Sequence, residues 1–153
     1  MTAPITTLSE EDLDLIMRFH GHICSMVLVA ARLGKIAADA LDSLGGERTL
    51  PFGFFRGYGC AIDGVQAFTG CTFGNGNLVL LRGTDFSLTL TREGNGSAVL
   101  VTPLEEILAG ARSAGGKVLQ TPLGERIMGG DIRNLFAVET ISGMGHLSRF
   151  PEG

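Results

Sequence analysis

Apolar positions change their period several times along the chain, and each change marks an element. Leu13, Ile16, Met17 and His20 share one helical face. Ser9, ahead of Glu10, Glu11 and Asp12, is a good N-cap with acidic residues in the first turn. Gly21 is placed to end this helix, because a C-cap favours the left-handed conformation. A longer helix is predicted over 23–44, where Ile23, Met26, Val27, Ala30, Ala37, Leu41 and Leu44 recur at helical spacing and Gly45-Gly46 closes the run. Residues 50–58 are aromatic and glycine-rich and read as a strand. Ala61, Ile62, Val65 and Phe68 return to helical spacing, with Cys60 at the start of that short helix, Gly70 at its stop and Cys71 just beyond.

Strand patterns follow. Leu78 to Arg82 is an apolar run, Gly83-Thr84-Asp85 turns the chain, and Phe86, Leu88 and Leu90 alternate with Ser87, Thr89 and Thr91. Asn95-Gly96 signals a hairpin whose return strand is Ala98 to Val101. Thr102-Pro103-Leu104-Glu105 has the form of a capping box with proline at the first helical position, ahead of Leu104, Ile107, Leu108 and Ala111 on one face and Gly115-Gly116 at its end. Pro122 to Asn134 reads as a further helix weakened by glycines, Leu135 to Ile141 as a last strand, and 142–153 as a loose tail carrying His146. The expectation is one α+β domain, 1–153 with a core over about 10–141, in which N-terminal helices pack on a mainly antiparallel β-meander and further helices follow.

Composition narrows the functional classes. A chain of 153 residues with 44% hydrophobic and 18% charged residues builds one real core and is not disordered. A net charge of -4 gives no electrostatic reason for nucleic acid. No stretch approaches the ~20 apolar residues of a membrane span, and the N-terminus lacks a signal-peptide pattern. These features predict a cytoplasmic protein with reduced thiols.

The chemistry gathers in two stretches. Cys24, Cys60 and Cys71, with His20 and His22, form a donor set suited to zinc or another late transition metal, nickel or iron included. His20 and His22 would point to opposite sides of a continuous helix, and Gly21 breaks the helix between them. Cys24 near a helix start feels the dipole, which favours a thiolate. Each cysteine alone also reads as a small apolar core residue, and His20 reads equally as a hydrogen-bonded core histidine. His146 reads as a solvated bystander. A Cys60–Cys71 redox pair lacks any C-x-x-C arrangement. Gly74-Asn75-Gly76-Asn77 leads into a strand with no following lysine, so it is a tight turn or an anion-binding nest rather than a nucleotide loop. Asp63 and Gln66 lie on the short helix; Asp63 either caps its first turn or orients a histidine ligand from behind. No nucleophile with a partner base stands out.

His20-Gly21-His22-Ile23-Cys24, Cys60-Ala61-Ile62-Asp63-Gly64-Val65-Gln66 and Thr69-Gly70-Cys71-Thr72-Phe73-Gly74-Asn75-Gly76-Asn77, in this order, resemble the FmdE family of formylmethanofuran dehydrogenase. The resemblance spans roughly residues 10–140. It implies an α+β core, a metal cleft built from His20, His22, Cys24, Cys60 and Cys71, and homodimers. Two departures are visible: Ser25-Met26 stands where the family usually has Pro-Gly, and no cysteine follows Cys71, so the zinc ribbon of many relatives is missing from this sequence. The resulting expectation is a metal-binding enzyme or enzyme-accessory protein in one-carbon or molybdopterin-linked redox metabolism. A small-molecule ligand or a molybdenum or tungsten enzyme is its expected partner, with Asp63, Thr72 and Asn77 as ligand contacts. The alternatives are a non-catalytic metal carrier or sensor, and a metal-free domain with its cysteines in the core.

Overall fold

Helix α1 (Glu10–His20) forms where the Ser9 N-cap predicts it, and the structure adds a full capping box: Ser9 Oγ accepts from the Asp12 N–H and Asp12 accepts from the Ser9 N–H. Gly21, at φ 93°, ends it in the left-handed conformation. The computed structural model describes residues 6–46, 49–83, 85–94 and 96–142; His146 and the expected tail beyond 142 lie outside them, as does Asn95. Helix α2 (Ser25–Ser43) starts two residues later than its periodicity suggested, because Cys24 serves as its N-cap. It is buried along most of its length.

Strand β1 (Phe52–Arg56) leads into helix α3 (Cys60–Thr69) and then strand β2 (Leu78–Leu81), and β1 and β2 pair in parallel. Strands β3 (Ser87–Thr91) and β4 (Ser97–Pro103) form the antiparallel hairpin, with Leu90 opposite Val99. After helices α4 (Glu105–Ala114) and α5 (Pro122–Gly129), strand β5 (Phe136–Ser142) pairs antiparallel with β4. The sheet order is β2-β1-β3-β4-β5. It is mostly antiparallel, as expected, but it is not a simple meander. β1 lies between β2 and β3, because α3 carries the chain back over the sheet to place β2 in parallel with β1.

Three local expectations give way to tertiary pairing. Thr102 and Pro103 form no helix cap; they end β4 opposite Ala137 and Phe136, and the helix begins at Glu105. The chain beyond Ala114 continues into a 3-10 turn over Gly115–Gln120 instead of stopping at the glycines. The helix after Pro122 ends at Gly129, followed by a short 3-10 turn at Ile132–Asn134.

The core lies between α2 and one sheet face. Phe55, Leu88 and Val101 align across three strands, Leu90 and Val99 form the next row, and all are buried with Val27, Leu28, Leu33 and Leu41. Arg32 is buried among them at 1% exposure, its Nη1 donating to the carbonyls of Arg126 at 3.3 Å and Ile127 at 3.1 Å near the end of α5. α3 crosses α2 closely. A Cβ on Gly64 would stand 2.8 Å from the Ala30 Cβ and 2.9 Å from both the Ala31 nitrogen and the Val27 oxygen. Only glycine permits that approach, and it fixes where the first residue of α3 lies.

Candidate metal centre

Two helix starts and one helix end converge beside that crossing. His20 is the last residue of α1, Cys24 caps α2 with its Sγ accepting from the Val27 N–H at 3.5 Å, and Cys60 opens α3. His22 lies in the short link that Gly21 turns. One donor atom from each of His20, His22, Cys24 and Cys60 lies within 4.8 Å of every other. His22 Nε2 is 4.0 Å from Cys60 Sγ, and the two imidazole rings lie 4.5 Å apart at 40°. His22 is exposed; the other three are half-buried.

His20 shows why the group could hold a cation. Its Nδ1 lies 2.7 Å from Asp63 Oδ2. A carboxylate only accepts, so in the neutral ring the proton sits on Nδ1 and the lone pair on Nε2. That Nε2 is buried and has no hydrogen-bond partner. An unsatisfied buried polar atom costs roughly 1–3 kcal/mol, and a cation bound by the four donors would supply the missing partner. Two sulfurs and two imidazole nitrogens are a common zinc set, whose tetrahedral edges of about 3.3–3.8 Å follow from the usual bond lengths. The spacing here reaches them with small side-chain adjustment. The residues therefore fit a metal ion. Of the two readings of Asp63, the structure selects the one in which it orients His20; α3 has no side-chain cap at its start.

The thiols lie under opposing influences. Both sit at helix N-termini, which favours thiolate. Burial, the neighbouring Cys24 thiol and the Asp63 carboxylate nevertheless push the Cys60 thiol up. A divalent cation held by the group would reverse that balance by neutralising the charge that burial penalises.

Cys71 is not brought to this group. Its side chain is fully buried and its Sγ donates to the Pro51 carbonyl at 3.2 Å; burial pushes the thiol up to about 11. Asn77 is also buried, with Nδ2 donating to the same carbonyl at 3.0 Å. Both ends of the 71–77 segment are thus tied to the entrance of β1. Within it Asn75 organises the turn. Its Oδ1 accepts from the Thr72 N–H at 3.1 Å and the Asn77 N–H at 2.9 Å, its Nδ2 donates to the Gly70 carbonyl at 2.7 Å, and Thr72 Oγ1 accepts from the Asn75 N–H at 3.0 Å. The groups expected to contact a ligand through Thr72 and Asn77 are engaged in holding this loop. All three cysteines are free thiols. A cleft of about 550 Å³ at the end of the sheet is lined by Arg56, Ser87, Thr102 and Arg112 among others, and by none of the four donors.

The fold and this site define a small α+β domain with a His/Cys group that could hold a metal ion. The family model described as "FmdE, Molybdenum formylmethanofuran dehydrogenase operon" matches residues 19–128, and the chain belongs to that family. A solved structure of a tungsten formylmethanofuran dehydrogenase FmdE-like protein from Syntrophus aciditrophicus shares the fold, with a TM-score of 0.63 over 90% of this chain and 77% of that one, at 22% identity. A protein of Archaeoglobus fulgidus described as a probable S-adenosyl-L-methionine-binding protein is 34% identical over 87 residues, which is 54% of this chain and 24% of that protein. The chain thus spans about a quarter of that relative's length. Among the described residues, no helix is long and apolar enough to cross a membrane.

Proposed function

We propose that this FmdE-family domain binds one late transition metal ion, zinc first, through His20 Nε2, His22, Cys24 and Cys60. The observation that carries the reading is the buried, partnerless His20 Nε2, aimed by Asp63 into a group of four donor atoms within 4.8 Å of one another. Softness of the donors favours zinc over magnesium or calcium, with nickel and iron the next candidates. When bound, such an ion supplies Lewis acidity and holds both thiols as thiolates. The chain's own part is to position the ligands: Gly21 and the crossing at Gly64 bring the three segments together, and Asp63 sets the His20 ring.

Four protein donors favour a closed site, the arrangement of metal holding rather than of hydrolytic catalysis. This favours a carrier, sensor or accessory role, in which His22, the exposed donor, would be the one most open to exchange with solvent. The family's description and the name of its structural relative favour a second reading, in which the domain serves a molybdenum or tungsten enzyme of one-carbon metabolism. Displacement of His22 would then open a coordination position for a small-molecule ligand. A homodimer belongs to the same proposal; light scattering should give twice 16.1 kDa.

The test is metal content per chain of untagged protein, for the wild type and Cys60→Ser, with circular dichroism as the fold control. Near-stoichiometric metal in the wild type that drops sharply in the variant supports the site. Absence of metal in the wild type after zinc, nickel and iron are supplied overturns it.

A further inference from the structure

The Asp63–His20 contact does not end at Asp63. Gln66, one turn further along α3, places its Nε2 3.2 Å from Asp63 Oδ1, and its Oε1 3.0 Å from the backbone nitrogen of Phe73. A backbone N–H can only donate, and that fixes which way the Gln66 amide faces. Gln66 must face Phe73 with its oxygen, so its amide nitrogen must face Asp63. Asp63 then accepts on Oδ1 from Gln66 and on Oδ2 from His20, which places the ring proton on Nδ1 and the lone pair on the buried Nε2.

The donor that starts this chain is itself held. Phe73 lies in the loop that Asn75 organises from within and that Cys71 and Asn77 tie to the Pro51 carbonyl. A free glutamine amide turns over at no cost and would let Asp63 rotate. A glutamine locked by a rigid loop does not.

We propose that Gln66 is a positioning residue: anchored to the 71–77 loop, it holds the Asp63 carboxylate against His20, where that carboxylate keeps the ring in the tautomer that offers Nε2 as a ligand. This inference rests on the metal-binding reading for its purpose but not for its test, because the tautomer is a property of the metal-free protein. Gln66→Met keeps the shape of the side chain and removes both hydrogen bonds. Gln66→Glu keeps an acceptor for the Phe73 N–H, so the loop stays anchored, but it faces Asp63 with a second carboxylate instead of a donor.

Long-range proton–nitrogen NMR of the metal-free protein reads the His20 ring directly. In the wild type His20 should be in the Nδ1–H form; in both variants Asp63, no longer held and in Gln66→Glu also repelled, should swing off the ring and leave a mixture of tautomers. Zinc affinity, by competition with a chromophoric chelator, should fall about 3- to 30-fold in both, below or within the range for loss of an outer-shell partner. Asp63→Asn should fall at least as far. Unchanged circular dichroism separates these effects from unfolding, and Gln66→Glu remains interpretable if Gln66→Met fails to fold. A His20 tautomer identical in the wild type and Gln66→Glu overturns the proposal. So does a loss of zinc affinity with no change in tautomer. If the wild type binds no metal but the variants still shift the tautomer, the metal-binding reading fails and the relay stands.

Discussion

Gly64→Ala tests whether the helix crossing builds the metal centre. The added methyl would meet Ala30 Cβ at 2.8 Å and two backbone atoms, Ala31 N and Val27 O, at 2.9 Å. Ordinary carbon contacts sit near 3.5–4.0 Å, so α2 and α3 must move apart by roughly 1 Å. Backbone cannot swing aside as a side-chain end can, and overpacking of this kind costs about 1–3 kcal/mol. Alanine's better helix propensity returns about 1 kcal/mol at most. The net loss is about 1–2 kcal/mol, or a Tm about 2–8 °C lower for a chain of this size. Cys60 moves with α3 while Cys24 stays on α2, so zinc affinity should fall in the same variant. Gly129→Ala is the matched control: it also lies in a helix, but its methyl meets nothing within 4 Å, and its Tm should hold or rise slightly. Thermal unfolding of the metal-free proteins and chelator competition give both readings. A Gly64→Ala protein as stable as the wild type would falsify the crossing argument. A Tm loss with unchanged zinc affinity would separate the crossing from the site.

Two further predictions concern groups buried away from the donors. Burial raises the Cys71 thiol from 9.0 to about 11, so the folded state keeps its proton longer than the unfolded chain. This contribution is fully present below pH 9, is lost as pH climbs through 9 toward 11, and amounts to on the order of 2–3 kcal/mol. Urea midpoints from pH 8 to 10.5 should fall more steeply for the wild type than for Cys71→Ser, whose hydroxyl can still donate to Pro51; parallel curves would refute this. Arg32→Ala strips a buried side chain from two carbonyls of α5 and should cost about 2–4 kcal/mol in urea unfolding. Arg32→Met, which refills the volume without a charge, should lose less, and equal losses would count against the packing account.

The local parts of the fold were legible because their signals are local. Ser9 with Asp12, Gly21 and Gly70 each mark a helix boundary that a few neighbouring residues decide, and the structure has them as read. Register across the sheet was not legible in the same way. Leu78–Leu81 and Ser87–Thr91 look like consecutive strands of a meander, yet β1 pairs with both. That order depends on α3 folding back over the sheet, which no short window encodes. Thr102-Pro103 has the right letters for a helix cap and is claimed by pairing with β5.

The donor group divides along the same line. A cysteine's sequence context says little about whether its sulfur meets other donors or a carbonyl, so Cys60 and Cys71, both beside a helix end, looked alike. Hydrogen-bond accounting distinguishes them. Cys71 and Asn77 donate to Pro51, and Thr72 accepts from Asn75, so each has a structural task in the loop. His20 is the opposite case: one ring nitrogen is held by Asp63 and the other is buried without a partner. A loop that satisfies itself and a histidine that does not are two halves of one arrangement, because Gln66 joins them. The residues that resembled a ligand set in the sequence thus divide into four donors that could hold an ion and a frame that positions one of them.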